Sequence, residues 1–144
     1  MILKQENYKE IINSYTHSDW KPLLDLIPKI EQTKSFGKAI GGGVDKDGVY
    51  NIPNWSSAKI VYEFLEVVYD IPIVIDFNWA AWDEGRKIAS DENFDFDTID
   101  IPTKCKLITA FVRNDRFCDG ALAGAFERGT ILKILKSIEK QLGK

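Results

Sequence analysis

Two short stretches carry the side chains best able to do chemistry: DFNWAAWDEGR (76–86) and RNDRF (113–117). Trp79 and Trp82 stand three apart, so a helix over 78–90 would project both indoles from one face. Arg86, four beyond Trp82, would lie over that indole as a cation–π neighbour. Two cleft-facing indoles offer a stacking surface for a flat ring such as a purine. Two core indoles, the commoner use of tryptophan, offer none. In the second stretch Arg113 and Arg116 could clamp a phosphate or carboxylate bidentately, and a helix N-terminus beside them would add free amide donors. Asp115 could accept from ribose hydroxyls or from an amino group on a base, with Phe117 at the same corner. The structural alternative is a locked corner. Asp115 would cap a short helix over about 116–127 and pair with one arginine, leaving the second without a role. Gly120 and Gly124, four apart, read as a close helix contact.

Several chemistries lack their parts. His17 is the only histidine, so a histidine zinc site, a Ser–His–Asp triad and a Cys–His dyad are short of imidazole. No Walker lysine follows the glycines and no G-x-G-x-x-G follows a strand. GGGVDKDG (41–48) has neither the acidic ladder nor the closing glutamate of a calcium loop, and reads as a hairpin turn with Gly48 at positive φ. The acidic run Asp91, Glu92, Asp95, Asp97 and Asp100 reads as a solvated loop pinned by Phe94 and Phe96. Neither a metal nor a cofactor is expected.

The elements that must position these residues follow from periodicity. At 144 residues, 44% apolar and 28% charged, the chain has ordinary globular composition and the length of about one domain. Apolar positions at helical spacing mark helices over 1–15, 20–33, 57–70, 78–90, from Pro102 onward, and 130–142. Ser18 or Asp19 would cap the second, Ser56 or Ser57 the third and Thr130 the last. Residues 36–55 suggest two short strands and a hairpin, while IPIVIDF (71–77) fits a short strand or an extended connection equally. The expected fold is mainly α (α+β), a compact helical domain of about six helices with a small early β-hairpin. Residues 1–16 form an N-terminal helical extension, and residues 17–144 a single globular domain.

The net charge of −3 gives no electrostatic footprint for phosphodiester backbones, so nucleic acid is not an expected partner. The start lacks the apolar block of a signal peptide and no apolar run spans a membrane. Cys105 and Cys118 show no paired spacing and read as buried or partly buried thiols in a reducing compartment. A cytoplasmic protein is expected.

The motifs together resemble a bacterial and phage family, the domain of unknown function 6508. The resemblance covers roughly 23–140. It rests on Tyr50 after the hairpin, on Phe77, Trp79 and Trp82, and on the signature R-x-D-R-F-C-x-G-x-L at Arg113 to Leu122. Gly129 and the helix from Ile131 to Leu135 complete it. The usual tyrosine-bearing hairpin end appears here as GVYNIPNW. The resemblance implies a fold and little chemistry. Some relatives carry the label O-acetyl-ADP-ribose deacetylase, yet the glycine-rich loops of a macrodomain are not visible in this chain. That label and the Trp/Arg/Asp cluster point to the same ligand type, an aromatic base joined to a phosphorylated sugar.

The expected function is therefore non-catalytic binding of a small nucleotide-like molecule, an ADP-ribose derivative. Such a protein would act as a sensor or, in a phage, as a sponge sequestering a defence signal. Trp79 and Trp82 would stack the base, Arg113 and Arg116 beside Phe117 would hold the charged groups, and Asp115 and Tyr50 would contact hydroxyls. One alternative is a hydrolase of the same ligand class, drawing an acid or base from Asp83, Glu84, Asp115 or Asp119. Another is a protein-interaction module using the N-terminal helix, with a two-fold homo-oligomer as the default assembly. The first reading carries a geometric condition: the arginine corner and the indole pair must line one solvent-reachable hollow.

Overall fold

A computed structural model describes residues 2–40, 42–51 and 54–143. The chain begins β1 (Leu3–Lys4), α1 (Tyr8–Asn13), α2 (His17–Leu24) and α3 (Leu26–Gln32), then the strands β2 (Gly37–Ile40), β3 (Gly43–Val44), β4 (Tyr50–Asn51) and β5 (Asn54–Ser57). There follow α4 (Lys59–Asp70), β6 (Ile75–Asp76), a single 3-10 turn Trp79–Ala81 and α5 (Asp83–Ser90). A second 3-10 turn, Phe96–Thr98, leads into α6 (Ile101–Asn114), α7 (Ala121–Glu127) and α8 (Thr130–Leu142). The fold is mainly helical with a small early β element, as expected.

The caps explain where the helices start. Thr16 and Asp19 form a reciprocal capping box at α2, so Asp19 acts from the third helical position rather than as the cap itself. Asp100 accepts the Thr103 N–H at 2.9 Å, and Pro102 stands in the first turn of α6, where a missing N–H is no loss. The expected helix 20–33 breaks at Asp25 into α2 and α3. Ser56 and Ser57 belong to β5 instead of capping α4, which begins after Ala58 with no side-chain cap. Thr130 is the first residue of α8, and the residue before it is Gly129 at φ +78°.

Helices α6 and α8 are the centre of the packing. Helix α6 touches α1, α5, α7, α8 and the Trp79–Ala81 turn, and α8 touches α2, α3 and α7. Their stripes Leu107, Ile108, Ile131, Ile134, Leu135 and Ile138 are all buried. IPIVIDF resolves into a turn with a cis Ile71–Pro72 bond, a buried Ile73–Val74 pair and β6. Thr109 ties this segment to α6, its hydroxyl donating to the Cys105 carbonyl at 2.8 Å and accepting the Ile75 N–H at 3.1 Å.

The N-terminal segment is built into this core. Strand β1 pairs in parallel with β6, with Leu3 opposite Ile75, and the side chains of Leu3, Tyr8 and Ile12 are buried. The apolar face of α1 therefore lies on the domain rather than open to a partner.

The expected hairpin is a two-tier ribbon. Strand β2 pairs antiparallel with β5, and β3 with β4. At its tip Gly48 takes φ +81°, while the Asp45 carboxylate accepts the N–H groups of Asp47 and Val49, each at 2.9 Å. Trp55 on β5 lays its indole against Gly37 and Gly120, where a Cβ on Gly120 would come within 2.9 Å of the ring.

The acidic loop is pinned by its two phenylalanines, as expected. Phe94 and Phe96 meet edge to face at 5.1 Å, Asp95 caps the turn Phe96–Thr98, and Asp97 takes the Ser137 hydroxyl and the Lys140 ammonium. Among the described residues no cluster of acidic, histidine and cysteine side chains is placed to hold a metal. No helix among them is long and apolar enough to cross a membrane.

Candidate functional site

The segment 77–90 does not form one helix. Trp79 lies on the 3-10 turn, and the chain straightens at Trp82 (φ −88°, ψ +88°) before α5 begins. The indoles consequently serve different ends. Trp82 is packed against Gly85, where a Cβ would run into its six-membered ring, and meets Phe77 edge to face at 5.6 Å. The cation over its ring is Lys106, with Nζ 4.5 Å from the ring and 4.8 Å from that of Phe77. Arg86, expected over Trp82, turns back instead. Its guanidinium donates to the Ala80 carbonyl and pairs with Asp83 at 3.6 Å. That contact braces the turn carrying Trp79.

Small residues leave space where these elements meet α6. Ala80, Gly85, Ala89 and Ala110 stand back from a hollow of about 410 Å³, whose remaining walls are Trp79, Trp82, Arg86, Phe111 and Asn114. The volume falls in the range of small-molecule sites, and a mostly apolar lining with a few polar groups is their usual make-up. Trp79 presents its ring to this space, whereas one face of Trp82 is taken by Lys106.

The corner after α6 borders the hollow. Asn114, the last residue of α6, is part of the lining, and Phe117 stands 6.1 Å from Trp79, ring centre to ring centre. Asp115 ends α6 rather than opening a helix at 116. Its Oδ1 accepts the Leu122 N–H at 3.1 Å, capping α7 across the intervening turn. Gly120 is the residue before α7, at φ +84°, so it shares no helix face with Gly124. What approaches Gly120 is Trp55, and what approaches Gly124 is the Arg128 guanidinium.

Two carboxylates at either end of α7 accept from backbone amides, while Asp119 in the turn makes no hydrogen bond or ion pair among the described residues. Asp115 takes Leu122 N–H, and Glu127 takes Phe36 N–H at 2.8 Å. Arg113, half-buried, and Arg116, exposed, have no carboxylate within ion-pair distance among the described residues. The Asp115–arginine pair of the locked-corner alternative does not form among the described residues. Of the residues singled out in the sequence, Trp79 and Trp82 line the hollow, Phe117 stands at its edge, and Arg113, Asp115 and Arg116 form the adjoining corner. Tyr50 lies exposed on the ribbon strand β4, outside the lining. Cys105 is buried as expected, but Cys118 is exposed in the turn.

Three residues of consequence were not evident from the sequence reading. Asn114 lines the hollow, and its position at the end of the α6 pattern beside Arg113 is the available signal. Trp55 covers Gly120, and the sequence gives no indication of that pairing. Lys104 is completely buried, and its ammonium has no hydrogen-bond partner among the described residues. Its place three before Leu107 and four before Ile108 set it on the apolar stripe.

Comparison with curated proteins and with solved structures finds no match. The model of a family of unknown function, DUF6508, matches residues 15–144, which takes in the hollow and its corner entirely, and the chain belongs to that family.

Proposed function

We propose that the protein is a non-catalytic binder of a small nucleotide-like molecule, held in the hollow between α5 and α6. The observation that carries this reading is the pairing of an apolar hollow walled by Trp79 with a bordering corner whose two arginines have no ionic partner among the described residues. An aromatic base is stabilised by the ring, and a phosphate by guanidinium groups left free to bind it bidentately. A base joined to a phosphorylated sugar, as in an ADP-ribose derivative, presents both features. In a phage such a binder would act as a sink for a defence signal, and in a bacterium as a sensor.

Of the carboxylates a hydrolase could draw on, Asp115 holds α7 and Asp83 is paired with Arg86.

Thermal unfolding in the presence of a panel of nucleotides and dinucleotides tests the reading. A true ligand at a hundred times its Kd stabilises by about 2.7 kcal/mol. Arg116→Ala should weaken that ligand sharply, by tenfold or more for a lost charge-assisted contact of about 1.5–3 kcal/mol, while leaving the unliganded melting temperature unchanged. A flat response to the whole panel would rule the reading out.

A further inference from the structure

The most exposed large apolar side chain among the described residues is Phe117, with 81% of its surface in solvent. Its aromatic neighbour is Trp79, at 6.1 Å with the two planes tilted by 36°. That geometry is neither a close stack nor an edge-to-face contact. It is a wedge. A flat ring inserted between two parallel rings makes contacts of about 3.5 Å on each side, so the walls must stand roughly 7 Å apart. The two ring centres stand 6.1 Å apart, so admitting a ring requires Phe117 both to swing parallel to Trp79, closing the 36° tilt, and to move outward.

The two walls differ in freedom. Trp79 sits on a turn held by the Arg86 guanidinium through the Ala80 carbonyl. Phe117 stands in the turn between α6 and α7 and faces water. Below them the half-buried Asn114 lines the hollow, and its side-chain amide makes no hydrogen bond among the described residues. An amide offers a donor and an acceptor side by side, the complement of a heterocycle edge that carries an acceptor next to an amino donor, as adenine does.

We infer that Trp79 and Phe117 are the fixed and moving jaws of a clamp for one flat heteroaromatic ring, and that Asn114 reads the edge of that ring. The ligand class is a purine-type base whose anionic substituent points out toward Arg113 and Arg116. This inference rests on the ligand-binding reading above and adds the mode of recognition.

The test titrates the full chain with millimolar AMP and, separately, with ribose 5-phosphate, which carries the anion without the ring. Aromatic NMR signals of Phe117 and the Trp79 indole report the contact. AMP should shift both signals and ribose 5-phosphate neither. Phe117→Ala and Asn114→Leu should each weaken AMP by about tenfold, the scale of one lost stacking or paired amide contact. Phe117→Tyr, which keeps the ring, should stay within about twofold. The melting temperature of each variant without ligand shows that it is folded. Failure of AMP to bind overturns the clamp, as does binding that leaves the Phe117 signal and the Phe117→Ala affinity unmoved. In the second case a hollow that binds nucleotides survives without its jaws; silence across the wider nucleotide panel as well removes both.

Discussion

Replacing Lys104 by methionine should raise stability at pH 7 by about 3 kcal/mol. Burial pushes the Lys104 ammonium down to about 8, with the carboxylates of Asp97, Asp100 and Asp95 offsetting part of the effect. In the unfolded chain a lysine titrates near 10.4. Below pH 8 the folded protein thus carries a charge it holds unfavourably. Between about pH 8 and 10.4 the unfolded chain binds more protons than the folded one, so stability rises with pH across that window. The penalty is fully present below pH 8 and gone above 10.4. Methionine fills nearly the same volume without a charge, and exchanging a buried, unpaired ion for an apolar side chain is favourable. Urea unfolding of both proteins from pH 7 to 10 provides the measurement, and the gap between them should narrow as pH rises. Burial pushes the neighbouring Cys105 thiol well up, an effect the Lys104 charge partly offsets, and it acts in the opposite sense above about pH 9. A gap that stays constant with pH would place the Lys104 amine in water.

Removing residues 1–13 should abolish the fold or bring the protein to its edge. The deletion strips Leu3, Tyr8 and Ile12 from the core and leaves β6 without its partner strand. Each buried large apolar side chain contributes about 1.5–3 kcal/mol, so the loss is comparable with the whole stability of a domain, about 5–15 kcal/mol. Circular dichroism melting of the shortened chain measures it. A truncated protein that melts cooperatively near the full-length temperature would show that the first residues are an independent appendage, free to bind a partner. The family match starting at residue 15 makes this outcome informative about what the segment adds to this particular chain.

How far the sequence could be read depended on the range of the interactions involved. Helices announced by local signals were legible: the stripe of Ile131, Ile134, Leu135 and Ile138, or Pro102 in a first turn, needs no knowledge of distant residues. The mainly helical class and the Gly48 turn followed from the same kind of evidence. Features fixed by tertiary contact were not legible. Trp79 and Trp82 are three apart, but the chain straightens at Trp82, and Lys106 from another helix takes the place that spacing assigned to Arg86. Asp115 does cap a helix, but across a five-residue turn whose Asp119–Gly120 dipeptide was a turn signal in plain view. Lys104 was hidden by its own residue type, since lysine is almost never fully buried. For the candidate site, residue types near 79 and 113–117 located the region, while the division of labour between the two indoles required coordinates.

Native mass spectrometry of the protein released gently from cells asks most directly whether the hollow holds a ligand. The expected spectrum contains a population heavier than the bare chain by the mass of one small molecule, with fragmentation that releases a base and a phosphate. The added mass should vanish in Trp79→Ala, which keeps the fold and loses the stacking wall. Bare chain alone from the native protein, or an added mass that persists unchanged in Trp79→Ala, would contradict a nucleotide-binding role for this hollow.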